Sequence, residues 1–131
     1  MWGLHGLMAM IQIQDQKRHI VFLNAFPMSA FVGMQRVMFE AVHVDDLEML
    51  AKWVREKVEN GYEVANYVRH ASTVEALRRL GFPIAEPNAG MYRYLPGDLL
   101  IVVILKNPVR DGREVEVREG DLDVWVVNPL V

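Results

Sequence analysis

Residues 66–81 have the sequence NYVRHASTVEALRRLG. This pattern predicts the end of a strand, a short turn and then a helix. Ser72, with Glu75 three residues later, fits a capping box at a helix start. The apolar side chains that follow have the spacing of one helix face, at Val74, Leu77 and Leu80. Gly81 suits the position just after a helix C-terminus. The stretch therefore predicts a helix over 73–80.

A single histidine lies in the turn before this predicted helix. His70 is preceded by Arg69 and followed by Ser72 and Thr73. The free N–H groups and the dipole of a helix N-terminus favour an anion, and an imidazole changes its charge near neutral pH. The turn therefore predicts phosphate chemistry in which His70 moves a proton. The alternative is an ordinary strand-to-helix turn with a surface histidine.

Apolar runs on both sides of this stretch predict the strands of one sheet. We expect strands at His19–Phe26, Gln35–Val44, Tyr62–Val68, Met91–Leu95, Leu99–Leu105 and Val124–Val127. Another helix is predicted to begin at Asp45 or Asp46 and to end at Asn60. The predicted fold class is α+β, with one mixed β-sheet of about five strands and helices packed on it.

The length and composition are those of a small globular protein. A chain of 131 residues suits one domain with one core. We predict an N-terminal extension or edge strand over 1–18 and a single α+β domain over 19–131. An apolar content of 52% with 24% charged residues is typical of a water-soluble protein. No apolar run is long enough for a membrane span, so we expect a cytoplasmic protein with no membrane partner.

The cysteine and histidine content limits the chemistry further. The chain has no cysteine, which excludes disulfides, zinc–thiolate sites and cysteine nucleophiles, and is compatible with a thermophile. No metal site and no cofactor are expected, because ligand spacing is lacking among the histidines His5, His19, His43 and His70. The formal charge of −3 argues against a large nucleic-acid surface but permits a small anion at a local basic cluster.

Two further segments carry polar residues that fit a phosphate site. Asn24 ends an otherwise apolar strand, so its amide needs a hydrogen-bond partner or a ligand. A polar loop over 107–113 carries Arg110 and Asp111. We predict a site formed by Asn24, the turn at His70 and this loop. A turn hydrogen bond at the strand end is the alternative role for Asn24.

An ordered set of short motifs resembles a known family. The motifs are Leu23–Phe26, His70 with Ser72 and Thr73, the strand–turn–strand Arg93–Asp98, and the loop Arg110–Gly112. Together they resemble the small viral ring nucleases, which are type III anti-CRISPR proteins of archaeal viruses and phages. The order and the approximate spacing agree across 20–127, which is most of the chain.

The resemblance implies a specific activity. Members of that family are homodimers that bind cyclic tetra-adenylate across the two-fold axis and cleave it without a metal. A ribose 2′-hydroxyl attacks the neighbouring phosphate and leaves a 2′,3′-cyclic phosphate, while a histidine acts as general acid on the departing 5′-oxygen. His70 matches that histidine. The positions implied to contact the ligand are Asn24, Arg69, Ser72, Thr73, Arg110 and Asp111.

The sequence also departs from the family pattern at several positions. Arg69 replaces the glycine that usually precedes the histidine, and Pro27 stands where a ligand-binding serine is found. In the loop, Arg110 lies two residues from the family's arginine position, whereas Asp111 falls on the acidic one. Two alternatives therefore stay open. One is a catalytically silent dimeric module that binds cyclic oligoadenylate or nucleic acid, and the other is a dimeric structural protein of a virus.

Overall fold

The structure is a computed structural model that describes residues 18–107 and 116–130. The strands are β1 (His19–Leu23), β2 (Phe39–Val44), β3 (Glu63–Asn66), β4 (Leu99–Leu105) and β5 (Leu122–Pro129). The helices are α1 (Leu47–Glu59) and α2 (Ala71–Arg79), and short 3₁₀ segments cover Met28–Phe31 and Glu119–Asp121. The predicted α+β domain with a mixed five-stranded sheet and packed helices is confirmed.

Three neighbouring strands of the sheet run parallel. The strand order is β2-β5-β4-β1-β3, and β1 pairs in parallel with both β3 and β4. Phe22 of β1 lies opposite Asn66 of β3 and Ile101 of β4. β5 is antiparallel to β4 and to the edge strand β2. The carboxyl ends of β1, β3 and β4 therefore meet at one edge of the sheet.

Both helices pack on the same face of the sheet. Ile20 and Phe22 point to this face and are fully buried against apolar residues of α1 and α2. The intervening residues Val21 and Leu23 point to the opposite face, where the side chains of Phe31, Tyr92 and Tyr94 cover them. The central strands are thus buried on both sides, which explains their nearly continuous apolar sequence.

The start of α2 differs from the prediction. The helix begins at Ala71, and His70 is its N-cap residue with φ −71° and ψ 111°. The His70 carbonyl already accepts from the Val74 N–H at 3.1 Å, so the helical hydrogen bonds begin one turn before Val74. Ser72 therefore lies inside the helix, and the predicted capping box is wrong. Gly81 follows the helix with φ +99°, as its position predicted.

The other predicted elements agree to different degrees. β4 has the predicted bounds, and Asp46 caps α1 by accepting from the Met49 N–H at 3.0 Å. The strand predicted at Met91–Leu95 is wrong, because this segment lies as a loop on the sheet face opposite the two α-helices. The edge strand expected within 1–18 falls almost entirely outside the described residues.

A buried hydrogen bond holds that loop to the start of β4. Asp98 is 3% exposed and accepts from the Tyr92 hydroxyl at 2.5 Å and the Leu95 N–H at 3.2 Å. Burial, together with the hydrogen bond to Asp98, raises the pKa of Tyr92 well above its ordinary value. The aromatic side chain thus serves both as core and as the partner of a buried carboxylate.

We predict that Tyr92 stays neutral where exposed tyrosines ionise. A phenolate beside the Asp98 carboxylate is unfavourable, so the folded state retains the proton and loses stability as the pH rises above about 10. An alkaline titration followed by tyrosinate absorbance should give Tyr92→Phe and the wild type equal amplitudes until unfolding. The chain has four tyrosines. If the variant loses the amplitude of one tyrosine before unfolding, Tyr92 ionises in the folded protein and the interaction is contradicted.

Candidate functional site

A pocket of about 270 Å³ opens at the carboxyl edge of the three parallel strands. It is lined by residues from the ends of β1, β3 and β4 and from the start of α2, namely Asn24, Val68, His70, Thr73, Val103, Ile104 and Leu105. Open sheets with parallel strands bind ligands outside their carboxyl ends. The sequence-predicted His70 and Asn24 meet here because β1 and β3 are adjacent and parallel.

One hydrogen bond fixes the ring of His70. Its Nδ1 lies 2.8 Å from Oγ1 of Thr73, three residues further along α2. Thr73 is 2% exposed, whereas His70 is only half-buried. Within residues 18–107 and 116–130, Nε2 of His70 has no hydrogen-bond partner. The ring therefore has one nitrogen held by the protein and one nitrogen open to a ligand.

The N-terminus of α2 supplies hydrogen-bond donors beside this ring. The first N–H with an intrahelical acceptor is that of Val74, so those of Ala71, Ser72 and Thr73 have none. The His70 side chain does not cap them. Free N–H groups at a helix N-terminus bind phosphate and similar anions. The turn thus places donors for an anion next to a group that can transfer a proton.

Asn66 shapes the turn, a role that the sequence pattern did not predict. Its side chain is 2% exposed; Oδ1 accepts from the Val68 N–H at 2.8 Å and Nδ2 donates to the Ala85 carbonyl at 2.8 Å. Its backbone carbonyl also accepts from the Asn88 N–H at 2.7 Å. An asparagine side chain that bonds the N–H two residues on is a recognised turn signal. The strand was predicted to run over 62–68, so Asn66 was placed inside it, whereas β3 ends at Asn66.

The remaining predicted site residues lie in different places. Asn24 is exposed in the pocket, but the Arg69 guanidinium donates to the Gly90 carbonyl at 2.7 Å and does not line it. Ser72 lines a separate cavity of about 490 Å³ with Arg79 and others. Arg110 and Asp111 lie outside the described residues. The structure therefore unites Asn24, His70 and Thr73 and places Arg69 and Ser72 outside their pocket.

In the part of the chain that the structure describes, no three histidine, aspartate or glutamate side chains come together as metal ligands would. In the same residues, neither helix has the length and apolar character needed to cross a bilayer.

We predict that Asn66→Ala destabilises the protein by about 1–3 kcal/mol, because the buried Val68 N–H loses its acceptor. Asn88→Ala is the matched control, since the hydrogen bond to Asn66 uses the Asn88 backbone, and it should change stability by less than about 0.5 kcal/mol. Chemical denaturation of the three proteins measures the difference. Equal stability of Asn66→Ala and the wild type would show that the turn does not depend on this amide.

Comparison with solved structures finds twelve chains with a similar fold. No family model and no curated protein matches the sequence. The structure resembles B116 of Sulfolobus turreted icosahedral virus with a TM-score of 0.62 and 16% sequence identity. The match covers 86% of this chain and 98% of B116. The protein thus has the fold of a small archaeal-virus protein.

Proposed function

We propose that this protein is a metal-independent ring nuclease that cleaves a cyclic oligoadenylate, with cyclic tetra-adenylate as the first candidate, and so antagonises type III CRISPR immunity. The observation that carries the proposal is the arrangement of His70. One ring nitrogen is held by the buried Thr73, and the other has no hydrogen-bond partner among the described residues. The ring lines a pocket, and the free N–H groups of the α2 N-terminus lie in the same turn. The fold shared with a viral protein and the family resemblance of the motifs add support.

In the proposed reaction, a ribose 2′-hydroxyl attacks the adjacent phosphorus in line. The new O2′–P bond forms as the P–O5′ bond breaks, and the proton of the 2′-hydroxyl passes to solvent. Nε2–H of the His70 imidazolium gives its proton to the departing O5′, which leaves as a 5′-hydroxyl. The free N–H groups of α2 stabilise the negative charge that develops on the phosphate oxygens. The product is linear, with a 2′,3′-cyclic phosphate end.

The composition of the pocket fits a nucleobase beside this phosphate. Four of its seven lining residues are aliphatic, including Val68 and Val103, and they offer an apolar surface to a base. Asn24 brings an amide, which has both a donor and an acceptor, to the same pocket. Adenine presents a matching acceptor and donor at N7 and N6. A nucleotide with an adenine base would therefore contact apolar, amide and imidazole groups together.

A second candidate is the catalytically silent module that binds the ring without cleaving it. Among the described residues, those that line the pocket include no lysine or arginine, and Arg69 is bonded to Gly90. A phosphate in this pocket would therefore lack a guanidinium partner. Without that positive charge, the negative charge that develops on the phosphate in the transition state would be stabilised less, which favours binding without cleavage.

Incubation with cyclic tetra-adenylate and cyclic hexa-adenylate, with and without a chelator, separates the two candidates. The nuclease should produce linear oligoadenylate with a 2′,3′-cyclic phosphate, and the chelator should change the rate by less than about twofold, because no step uses a metal. Bound but intact ring at excess protein would support the silent module. Neither binding nor cleavage would contradict both.

We predict that His70→Ala slows single-turnover cleavage by roughly 10²- to 10⁴-fold, the usual contribution of a positioned acid or base. Ligand affinity should fall far less, because the helix N–H groups remain. His43→Ala is the control, since His43 lies on β2 and bonds to Asp123 away from the pocket. Cleavage by His70→Ala at the wild-type rate would refute the assignment. Equal loss of binding and cleavage in a folded variant would make His70 a binding residue.

We also predict a homodimer, in which two copies of His70 reach one cyclic ligand across a two-fold axis. Exposed apolar side chains such as Met28, Val32 and Met38 provide surface that a partner copy could cover. Light scattering with and without ligand should give twice the monomer mass. A monomer mass under both conditions would contradict the dimer.

A further inference from the structure

We infer that Thr73 is a positioning residue that decides which imidazole nitrogen of His70 meets the ligand. This inference rests on the proposed function, in which His70 transfers a proton. The family resemblance implies a ligand contact for Thr73, but this residue is 2% exposed and its hydroxyl oxygen lies 2.8 Å from Nδ1 of His70. Thr73 therefore contacts the His70 ring rather than the ligand, and Nε2 is the ring nitrogen that remains for the substrate.

The position of Thr73 on α2 explains why it reaches the ring. His70 is the N-cap and Thr73 is the third residue of the helix, a spacing at which an N-cap side chain folds back over the first turn. An N-cap serine or aspartate would use that direction to accept a backbone N–H. His70 instead contacts the Thr73 side chain, so the first-turn N–H groups stay free for an anion.

A hydroxyl suits this position because it both donates and accepts. When His70 is neutral, the Thr73 O–H donates to Nδ1, and the ring proton resides on Nε2. When His70 is an imidazolium, Nδ1–H donates and the Thr73 oxygen accepts. The contact therefore persists in both protonation states. Among the described residues, Nδ1 is the one hydrogen-bond partner of the Thr73 hydroxyl, which favours donation to it in the neutral form.

The first test is independent of any activity. We propose nitrogen-detected NMR of the histidine rings in the wild type, Thr73→Val and Thr73→Ser. The wild type and Thr73→Ser should show the neutral His70 ring as the Nε2–H tautomer with an acceptor Nδ1. Thr73→Val, which matches threonine in shape but lacks the hydroxyl, should show a larger share of the Nδ1–H tautomer than the wild type. If the valine variant does not fold, Thr73→Ala replaces it. The same tautomer and line width in every folded variant would overturn the inference.

The second test links the contact to the reaction. Thr73→Val should lower the single-turnover rate of cyclic tetra-adenylate cleavage by up to about 10²-fold, as expected for a misdirected catalytic group, at nearly unchanged affinity. Thr73→Ser should restore most of the rate. A wild-type rate in Thr73→Val would overturn the inference even if the tautomer changes. If the wild type itself cleaves nothing, the proposed function fails, and the NMR result alone then decides whether Thr73 orients the ring.

Discussion

Parallel pairing of β1 with both β3 and β4 is the constraint on which the rest of the structure depends. Parallel strands of one sheet must be joined by crossovers, and α2 lies in the crossover from β3 to β4, which flank β1 on its two sides. The same arrangement brings three carboxyl ends to one edge, so the residues that follow each strand become neighbours. Phe22, opposite both Asn66 and Ile101, lies at the centre of this pairing and is fully buried. Asn24 and His70 lie 46 positions apart in sequence and still line one pocket.

Polar groups buried next to the apolar core give the site its shape. Asn66 sets the path of the backbone from β3 toward His70, and Thr73 holds the ring itself. Both side chains are 2% exposed, and a buried polar group without a partner is costly. Asn66 and Thr73 therefore keep their hydrogen-bond partners only while the local turn keeps its conformation. A site built in this way is ordered before a ligand binds, which is the property that catalysis by positioning requires.

Much of the fold could be predicted from local pattern, and much of the site could not. The apolar run of β4 and the Asp46 cap of α1 depend on neighbouring residues only, and both were predicted correctly. The pattern at Met91–Leu95 was misleading, since two tyrosines at alternate positions pack on the sheet from a loop as well as they would from a strand. The Arg69 side chain is directed by its hydrogen bond to Gly90, and Asn66 is held by its hydrogen bond to Ala85. Both partners are distant in sequence, so the local pattern could not predict these contacts. His70 was found because a histidine before a helix is a local signal, but its partner Thr73 required the structure.

The central claim is that Nε2 of His70 and the N-terminus of α2 form the reacting part of a cyclic oligoadenylate site. The most direct test is a crystal structure with a cyclic tetra-adenylate whose 2′-hydroxyls are methylated, because this ring cannot react. We predict a phosphate on the free N–H groups of α2 and an O5′ atom about 2.6–3.2 Å from Nε2 of His70. A ring bound elsewhere on the protein, or with every phosphate remote from His70, would contradict the account.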